Sequence, residues 1–242
     1  MIQIFRKEFA GFLDSLIAYI VIGIFLTVTG LLIWVFPETS VLAYGYAGME
    51  TLFNFAPYVF MFLIPAITMR MFAEERKTGT MELLLTKPIT DWGLILGKYS
   101  AGLLLVAFTL IPTGIYYYSI YQLGNPPGNL DSAGIAGSYI GLFMLAAVFT
   151  AIGLFSSSLS ENQIVAFIIG VFACFITFTG FSSLAGLDIW GDAALTLEKL
   201  GILYHYNALS KGLLDSRDLL YFVSSTAFFL LFTRLTLKSR TW

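Results

Sequence analysis

Charge is scarce in this sequence. Charged residues make up 12% of the 242 residues, whereas 58% are apolar. Soluble domains carry roughly 25% charged residues, so this chain cannot cover a water-facing surface, and its apolar residues come in long blocks. We therefore exclude a water-soluble globule. The formal net charge of −2 also gives no basis for a nucleic-acid partner.

Cysteine and histidine are almost absent. Cys174 is the one cysteine and His205 is the one histidine. A disulfide framework needs cysteines in pairs, and zinc sites draw on several Cys and His ligands. Neither kind of site can be assembled from these two residues. We expect no metal and no cofactor in this chain.

A nucleotide loop and a catalytic cluster are missing as well. Residues 93–98 read Gly-Leu-Ile-Leu-Gly-Lys, which is one residue shorter than a phosphate-binding loop, and Tyr99 stands where that motif has Ser or Thr. The serine run 156–158 has no histidine near it in the sequence. We expect no catalytic residue, so the protein is not itself an enzyme and any ATP must be bound by a partner.

Six apolar runs are long enough to span a membrane. A hydrocarbon core of ~30 Å needs about 20 helical residues at a rise of ~1.5 Å each. We predict an all-α membrane protein, a single domain over residues 1–242, with spans at residues 16–36, 57–72, 97–123, 133–158, 163–187 and 219–237. These runs are nearly free of ionisable groups, which disfavours a proton- or sodium-coupled carrier.

An amphipathic segment precedes the first run. Ile2, Phe5, Phe9 and Phe12 fall on one helical stripe, while charged residues lie off it. Such a pattern is typical of a helix lying in the membrane interface. Residues 1–14 are therefore predicted to form an interfacial helix.

The basic residues indicate the orientation of the chain. With the N-terminus inside, only Lys199, Lys211 and Arg217 of the 13 Lys and Arg residues lie outside. Because cytoplasmic loops are enriched in Lys and Arg, both termini and a connecting segment at residues 74–92 are predicted to be cytoplasmic. An amphipathic segment at residues 188–218 is predicted outside, as one or two short helices lying on the outer leaflet.

The connecting segment is the most polar part of the chain and surrounds an apolar run, Leu83-Leu84-Leu85. Thr80 can cap a short helix there. Pro88 disfavours helix at the residue before it, so that element should end near residue 87. Thr90 can then cap a second helix that starts at Asp91 and continues into the third span. The predicted geometry is helix, break, helix.

The pattern E-E-x-x-x-G-T-x-E-L-L-L-T-x-P over residues 74–88 lies between spans two and three of a six-span chain. In this context it resembles permease subunits of ABC-2-type transporters. The resemblance implies that the segment couples to a separate cytoplasmic ABC ATPase, present in two copies per complex. The implied coupling residues are Glu74, Glu75, Gly79, Thr80, Glu82, Leu83, Leu84, Leu85 and Pro88. Thr86 and the Gly97-Lys98 pair belong to the same match.

A narrower resemblance, to gliding-motility-associated permeases of this family, rests on residues 62–70, 124–126, 159–169 and 210–218. It implies a role in gliding motility and a place in the bacterial cytoplasmic membrane. It also implies a second permease copy or a larger membrane subunit in the same complex. Residues 204–207, Tyr-His-Tyr-Asn, depart from the aromatic-rich run that related permeases often carry before the last of these stretches.

Several interpretations stay open. Residues 83–85 either contact an ATPase or dip into lipid, and Glu161-Asn162 is either a second ATPase contact or a simple polar turn. Arg70 either forms a latch with Glu74 or reaches toward lipid headgroups. The alternative to a transporter is a non-transporting scaffold or force-transmitting subunit of a motility or secretion apparatus.

Overall fold

Helices form the regular structure of the described residues. The computed structural model describes residues 1–81, 89–187 and 189–239, and these ranges contain no β-strand. The helices are α1 (Ile2–Leu13), α2 (Leu16–Trp34), α3 (Val41–Tyr44), α4 (Glu50–Thr68), α5 (Arg70–Lys77), α6 (Asp91–Leu110), α7 (Gly114–Leu123), α8 (Ser132–Leu159), α9 (Gln163–Phe175), α10 (Phe181–Ala185), α11 (Ala194–Glu198), α12 (Ile202–Leu209) and α13 (Ser216–Lys238). A 3₁₀ turn at Ile111–Thr113 joins α6 to α7, and a π-helical turn at Ile176–Gly180 joins α9 to α10.

Among the described residues, six stretches are long and apolar enough to cross a membrane, which confirms the predicted all-α, six-span fold. In chain order, spans one to six are Leu16–Trp34, Glu50–Lys77, Asp91–Leu123, Ser132–Leu159, Gln163–Ala185 and Ser216–Lys238. We name the end of the bundle that carries α1 and the end of α5 the proximal end. The other end, which carries α3 and α12, is the distal end.

Polar caps fix where several spans begin. Thr90 accepts a hydrogen bond from Gly93 N–H at the start of α6, as the sequence predicted. Asp131 does the same for α8, and Asp215 for α13. Each cap satisfies a backbone N–H that has no partner within its helix.

Span two begins earlier than predicted, at Glu50 instead of Pro57. In the structure Pro57 and Pro65 both lie inside α4. A break at Met69 separates α4 from α5. Interior prolines are tolerated in membrane helices where neighbouring groups satisfy the freed backbone.

Tyr206 satisfies the carbonyl that Pro57 frees. In an α-helix the N–H of residue 57 would donate to the carbonyl oxygen of Phe53, but proline has no N–H. The hydroxyl of Tyr206, on α12, donates to the Phe53 carbonyl oxygen at 2.6 Å instead. Tyr206 is buried. The distal helix α12 is thus hydrogen-bonded to the backbone of span two.

Span four, α8, lies at the centre of the bundle and is buried along most of its length. Its glycines allow close approach of other elements. A Cβ on Gly137 would lie 2.8 Å from the carbonyl oxygen of Gly212, and one on Gly141 would collide with Leu209. Small residues at such positions let membrane helices pack tightly.

The predicted short helices between residues 188 and 218 are present as α11 and α12, but the sequence interpretation missed how α12 is placed. Ile202, Tyr206 and Leu209 of α12 are buried against the bundle. α11 has no buried residue. The distal segment is therefore anchored on spans two and four by α12, while its first part stays exposed.

Removing the Tyr206 hydroxyl tests this anchor. Tyr206→Phe should lower the free energy of unfolding by about 1–3 kcal/mol, because it leaves the buried Phe53 carbonyl without a donor. In a Pro57→Ala background, the N–H of residue 57 is restored and can donate to Phe53. In that background Tyr206→Phe should lower the free energy of unfolding by much less. Denaturant unfolding of the four variants in detergent measures the coupling.

Tyr116→Phe is the matched control. Tyr116 also donates to a helix carbonyl, that of Leu26, at 2.8 Å, but the helix partner of Leu26 is Gly30, which has its own N–H. Its loss should cost less than the loss of the Tyr206 hydroxyl. An equal cost of Tyr206→Phe with and without Pro57 would contradict the assignment.

Candidate functional site

The predicted coupling residues start at the C-terminal part of α5. Glu74 is exposed, whereas its neighbour Glu75 is buried. Gly79 follows in the turn after the helix, and Thr80 comes directly after that turn in helical conformation. The remaining predicted residues Glu82, Leu83, Leu84, Leu85 and Pro88 lie outside the described residues. The structure therefore places the base of the segment and shows how it is held.

Gly79 ends α5 by reversing the chain. Its φ is +69°, a left-handed conformation that glycine adopts without steric cost and that commonly follows a helix. Its N–H donates to the Arg76 carbonyl at 3.1 Å. Thr80 lies in helical conformation, and its hydroxyl donates to the Glu75 carbonyl at 3.3 Å. Thr80 thus begins the next helical turn, and its hydroxyl contacts the end of α5.

Lys98 is the centre of a buried ionic cluster beneath this turn. It lies on α6 and is 0% exposed. Its Nζ lies 2.8 Å from Glu8 Oε1 and 2.8 Å from Glu75 Oε1, and it donates to the Met71 carbonyl oxygen at 2.7 Å. One ammonium group therefore links α1, α5 and α6. We name Glu8, Glu75 and Lys98 the buried cluster.

Lys7 closes the buried cluster from the solvent side. Its Nζ donates to Glu75 Oε1 at 3.1 Å and lies 3.5 Å from Glu8 Oε1. Burial opposes the charged form of Lys7. The hydrogen bond that Lys7 donates to Glu75 and the negative charges of Glu75 and Glu8 outweigh this effect, and they raise the pKa of Lys7 above its ordinary value. Two carboxylates thus face two ammonium groups.

The N-terminal helix fits against span three because Gly97 has no side chain. A Cβ on Gly97 would lie 3.0 Å from Cβ of Ile4 and 3.1 Å from the Met1 carbonyl oxygen. Arg70 adds a second attachment. Its guanidinium donates to the Gly11 carbonyl at 3.3 Å and lies 5.0 Å from the centre of the Phe12 ring. Arg70 therefore holds α1 to α5, and the structure shows no Arg70–Glu74 ion pair in its described part.

Ser157 bridges the break between α4 and α5. In an unbroken helix the N–H groups of Phe72 and Ala73 would donate to residues four positions earlier. Here both donate to Ser157 Oγ, at 2.9 and 3.1 Å, and the Ser157 hydroxyl donates to the Met69 carbonyl at 2.8 Å. A side chain of span four thus replaces the missing backbone bonds of span two.

An open cleft adjoins the buried cluster. Its volume is about 360 Å³, and its walls come from α1, α5 and the turn after α5. Glu8 and Glu75 line its inner part, and Glu74, Thr78 and Thr80 line it nearer the turn. The cleft leads from the buried cluster to the start of the segment whose remainder carries the predicted leucines.

The second predicted contact, Glu161-Asn162, forms the turn between α8 and α9. Asn162 Oδ1 accepts the N–H of Ile164 at 2.9 Å and caps α9. Glu161 is exposed on the proximal end. Asn162 has a structural role in the turn, and Glu161 is free to face a partner.

Sequence reasoning overlooked three of the residues that hold this site. Lys98 was considered as a basic residue, as part of the family match and as the end of a rejected nucleotide loop, but not as a buried ion-pair partner. Glu8 was considered only as a charged residue outside an apolar stripe. Ser157 was considered only as a nucleophile. One signal was available: an ionisable residue inside a membrane helix normally has a partner in the protein interior, and Lys98 lies eight residues into α6.

The structure is thus a helical membrane bundle in which α5, at the start of the polar segment, is held to its neighbours at the proximal end. A comparison with protein families gives a match to the family described as ABC-2 family transporter protein over residues 2–237. The chain therefore belongs to the ABC-2 transporter family: it is a multi-pass membrane permease subunit of an ABC transporter, a family whose members act with an ABC ATPase. A comparison with curated proteins gives no match.

Replacing Lys98 should destabilise the protein strongly. Lys98→Met leaves Glu8 and Glu75 close together without their buried counter-ion, and removal of one partner of a buried pair typically costs about 3–5 kcal/mol. Adding Glu8→Gln and Glu75→Gln removes the unpaired charges and should recover part of the loss. Denaturant unfolding in detergent measures both, with Lys77→Met as the control because Lys77 is exposed. Wild-type stability of Lys98→Met would contradict the role of the buried cluster.

The two adjacent serines Ser156 and Ser157 provide a matched test of the helix break. Both are 0% exposed, but Ser156 donates only to Ile152 of its own helix. Ser157→Ala should cost about 1–3 kcal/mol in unfolding free energy, because two buried N–H groups lose their acceptor. Ser156→Ala should cost less than 1 kcal/mol by the same reasoning. Similar losses for the two variants would show that the break does not depend on Ser157.

Proposed function

We propose that this permease receives work from its ATPase at residues 74–88 and passes it to spans two, three and four. The contact residues in this proposal are Glu74, Gly79, Thr80, Glu82, Leu83, Leu84, Leu85 and Pro88, with Glu75 as their internal support. Leu83 to Leu85 supply the apolar anchors, because a few buried apolar residues usually dominate the affinity of an interface. The carboxylates set its register.

This proposal rests on the contacts that hold α5 to its neighbours. Glu75 joins it to α1 and α6 through Lys98, and Ser157 joins it to α8. Arg70 adds the contact with the end of α1. A force on the turn after α5 cannot move α5 alone, because buried ionic and hydrogen bonds would have to break. Movement of the segment therefore moves three spans and the N-terminal helix together.

In this proposal the two adjacent carboxylates, Glu74 and Glu75, have different roles. Glu75 is turned inward and belongs to the buried cluster, so it acts through Lys98 and not by touching a partner. Glu74 is exposed beside the cleft and is available for a cation of the ATPase. Glu161 lies at the same end of the bundle and forms the second contact in this proposal, with Asn162 shaping its turn.

The proposed arrangement in the membrane follows the distribution of Lys and Arg. The proximal end faces the cytoplasm, with both termini there, and the distal end faces outward. The chain lies in the bacterial cytoplasmic membrane and works with two copies of the ATPase, alongside a second permease copy or a larger membrane subunit. The resemblance of residues 62–70, 124–126, 159–169 and 210–218 to gliding-motility-associated permeases supports a role in gliding motility.

A single substitution tests the coupling contact. Leu84→Asp should abolish copurification of the ATPase, because a charge replaces an apolar anchor of the interface, while membrane insertion stays intact. Leu42→Asp is the control, since Leu42 is an exposed leucine of α3 at the distal end. An ATPase that remains bound and active with Leu84→Asp would overturn the assignment. A further measurement distinguishes a transporter from a scaffold. In the reconstituted complex, a candidate solute should stimulate ATP hydrolysis if the complex is a transporter, and should not if it is a scaffold.

A further inference from the structure

The distal end of the bundle holds a basic cavity. It lies between α12 and the start of α13 and has a volume of about 530 Å³. Lys199, Lys211 and Arg217 all line it. These are the only Lys and Arg residues between α6 and the C-terminal part of α13. The fold therefore gathers three cations that are separated by up to 18 positions in the sequence into one cavity.

These cations lack carboxylate partners within the ranges that the structure describes. No Asp or Glu oxygen there lies within 4.0 Å of the charged nitrogens of Lys199, Lys211 or Arg217. The cavity has two carboxylates, and both are engaged elsewhere. Asp218 Oδ1 lies 2.7 Å from His205 Nδ1, and Asp215 Oδ1 accepts the N–H of Arg217 at the start of α13.

The floor of the cavity is held in place by α12 and α13. His205 Nε2 donates to the Lys199 carbonyl oxygen at 2.9 Å, and the Tyr221 hydroxyl donates to the Leu200 carbonyl oxygen at 2.7 Å. The rings of His205 and Tyr221 stack with their centres 3.9 Å apart. Because two hydrogen bonds fix the backbone at residues 199–200, Lys199 is positioned at the cavity before any ligand arrives.

Apolar side chains border the same cavity. Leu213 lines it and is 64% exposed, and the next residue along the chain, Leu214, is also exposed. A soluble anion would gain nothing from these leucines. A lipid would use both features, since its headgroup carries the charge and its acyl chains lie along apolar surface.

We propose that this cavity binds the phosphate group of an anionic phospholipid in the leaflet at the distal end. Lys199, Lys211 and Arg217 contact the phosphate, and Leu213 contacts the acyl chains. The volume falls in the range of ordinary small-molecule sites, which suits a headgroup such as phosphoglycerol. This site does not depend on the ATPase contact, because it lies at the other end of the bundle.

The test compares two triple variants of the full-length permease in nanodiscs that contain phosphatidylglycerol and phosphatidylcholine with the same acyl chains. One variant is Lys199→Gln/Lys211→Gln/Arg217→Gln. The control, Arg6→Gln/Lys77→Gln/Lys238→Gln, removes three exposed cations from the proximal end. After stepwise removal of lipid, native mass spectrometry counts the phosphatidylglycerol molecules that remain bound.

The wild-type chain and the control should retain phosphatidylglycerol in preference to phosphatidylcholine. The distal variant should bind it roughly a hundredfold more weakly, the combined effect expected of three cations near a membrane surface. If this variant does not fold, Arg217→Gln alone should weaken retention about fivefold. Equal losses in the distal and proximal variants, or equal retention of the two lipids by the wild type, would overturn the proposal.

A second arm separates the lipid from a free anion. The detergent-solubilised chain is titrated with inorganic phosphate and, separately, with phosphatidylglycerol, and its thermal unfolding is followed. Phosphatidylglycerol should stabilise the wild-type chain and have little effect on the distal variant. Stabilisation by inorganic phosphate at equal concentration and to an equal extent would show that the cavity takes a soluble anion, and the lipid assignment would fall.

Discussion

The proximal end of this permease depends on the burial of one lysine. Removing an ammonium group from water costs several kcal/mol, and attraction to partners compensates only when the geometry is good and the remaining hydrogen bonds are made. Lys98 meets that condition because Glu8, Glu75 and the Met71 carbonyl converge on its Nζ. Glu8 comes from α1, Glu75 and Met71 come from α5, and Lys98 itself comes from α6. Lys98 is paired only when the N-terminal helix, α5 and span three are all packed against one another. The segment that follows α5 therefore starts from a helix that is held in position.

Span two has an interrupted backbone that its neighbours complete. Pro57 deletes one helix hydrogen bond, and the break at Met69 disrupts others. Tyr206 from the distal segment supplies a donor at the first point, and Ser157 from span four supplies a donor and an acceptor at the second. A straight helix would satisfy its own backbone and could move independently of its surroundings. An interrupted helix depends on contacts with its neighbours, which suits a span that leads into the proposed ATPase contact.

The two ends of the bundle use their cations differently. At the proximal end, Lys7 and Lys98 neutralise carboxylates, and Arg70 contacts the backbone of α1, so these charges serve internal bracing. At the distal end, Lys199, Lys211 and Arg217 surround a cavity whose carboxylates are already engaged. A charge with a partner in the protein stabilises the fold, whereas a group of like charges without one attracts a ligand. This difference is the basis for the mechanical role proposed for one end and the binding role proposed for the other.

The sequence by itself determined the six spans, the cap at Thr90 and the polar segment between spans two and three, because span length, first-turn capping and apolar runs are local properties. It did not reveal that Glu75 points inward while Glu74 points outward, or that span two starts seven residues before Pro57. Only the tertiary structure decided these points. A lysine, serine or tyrosine can be an isolated polar group or the partner of a buried one, and this depends on which elements pack beside it. Such contacts join residues that are distant in the sequence: Glu8 and Lys98 lie 90 positions apart in the chain.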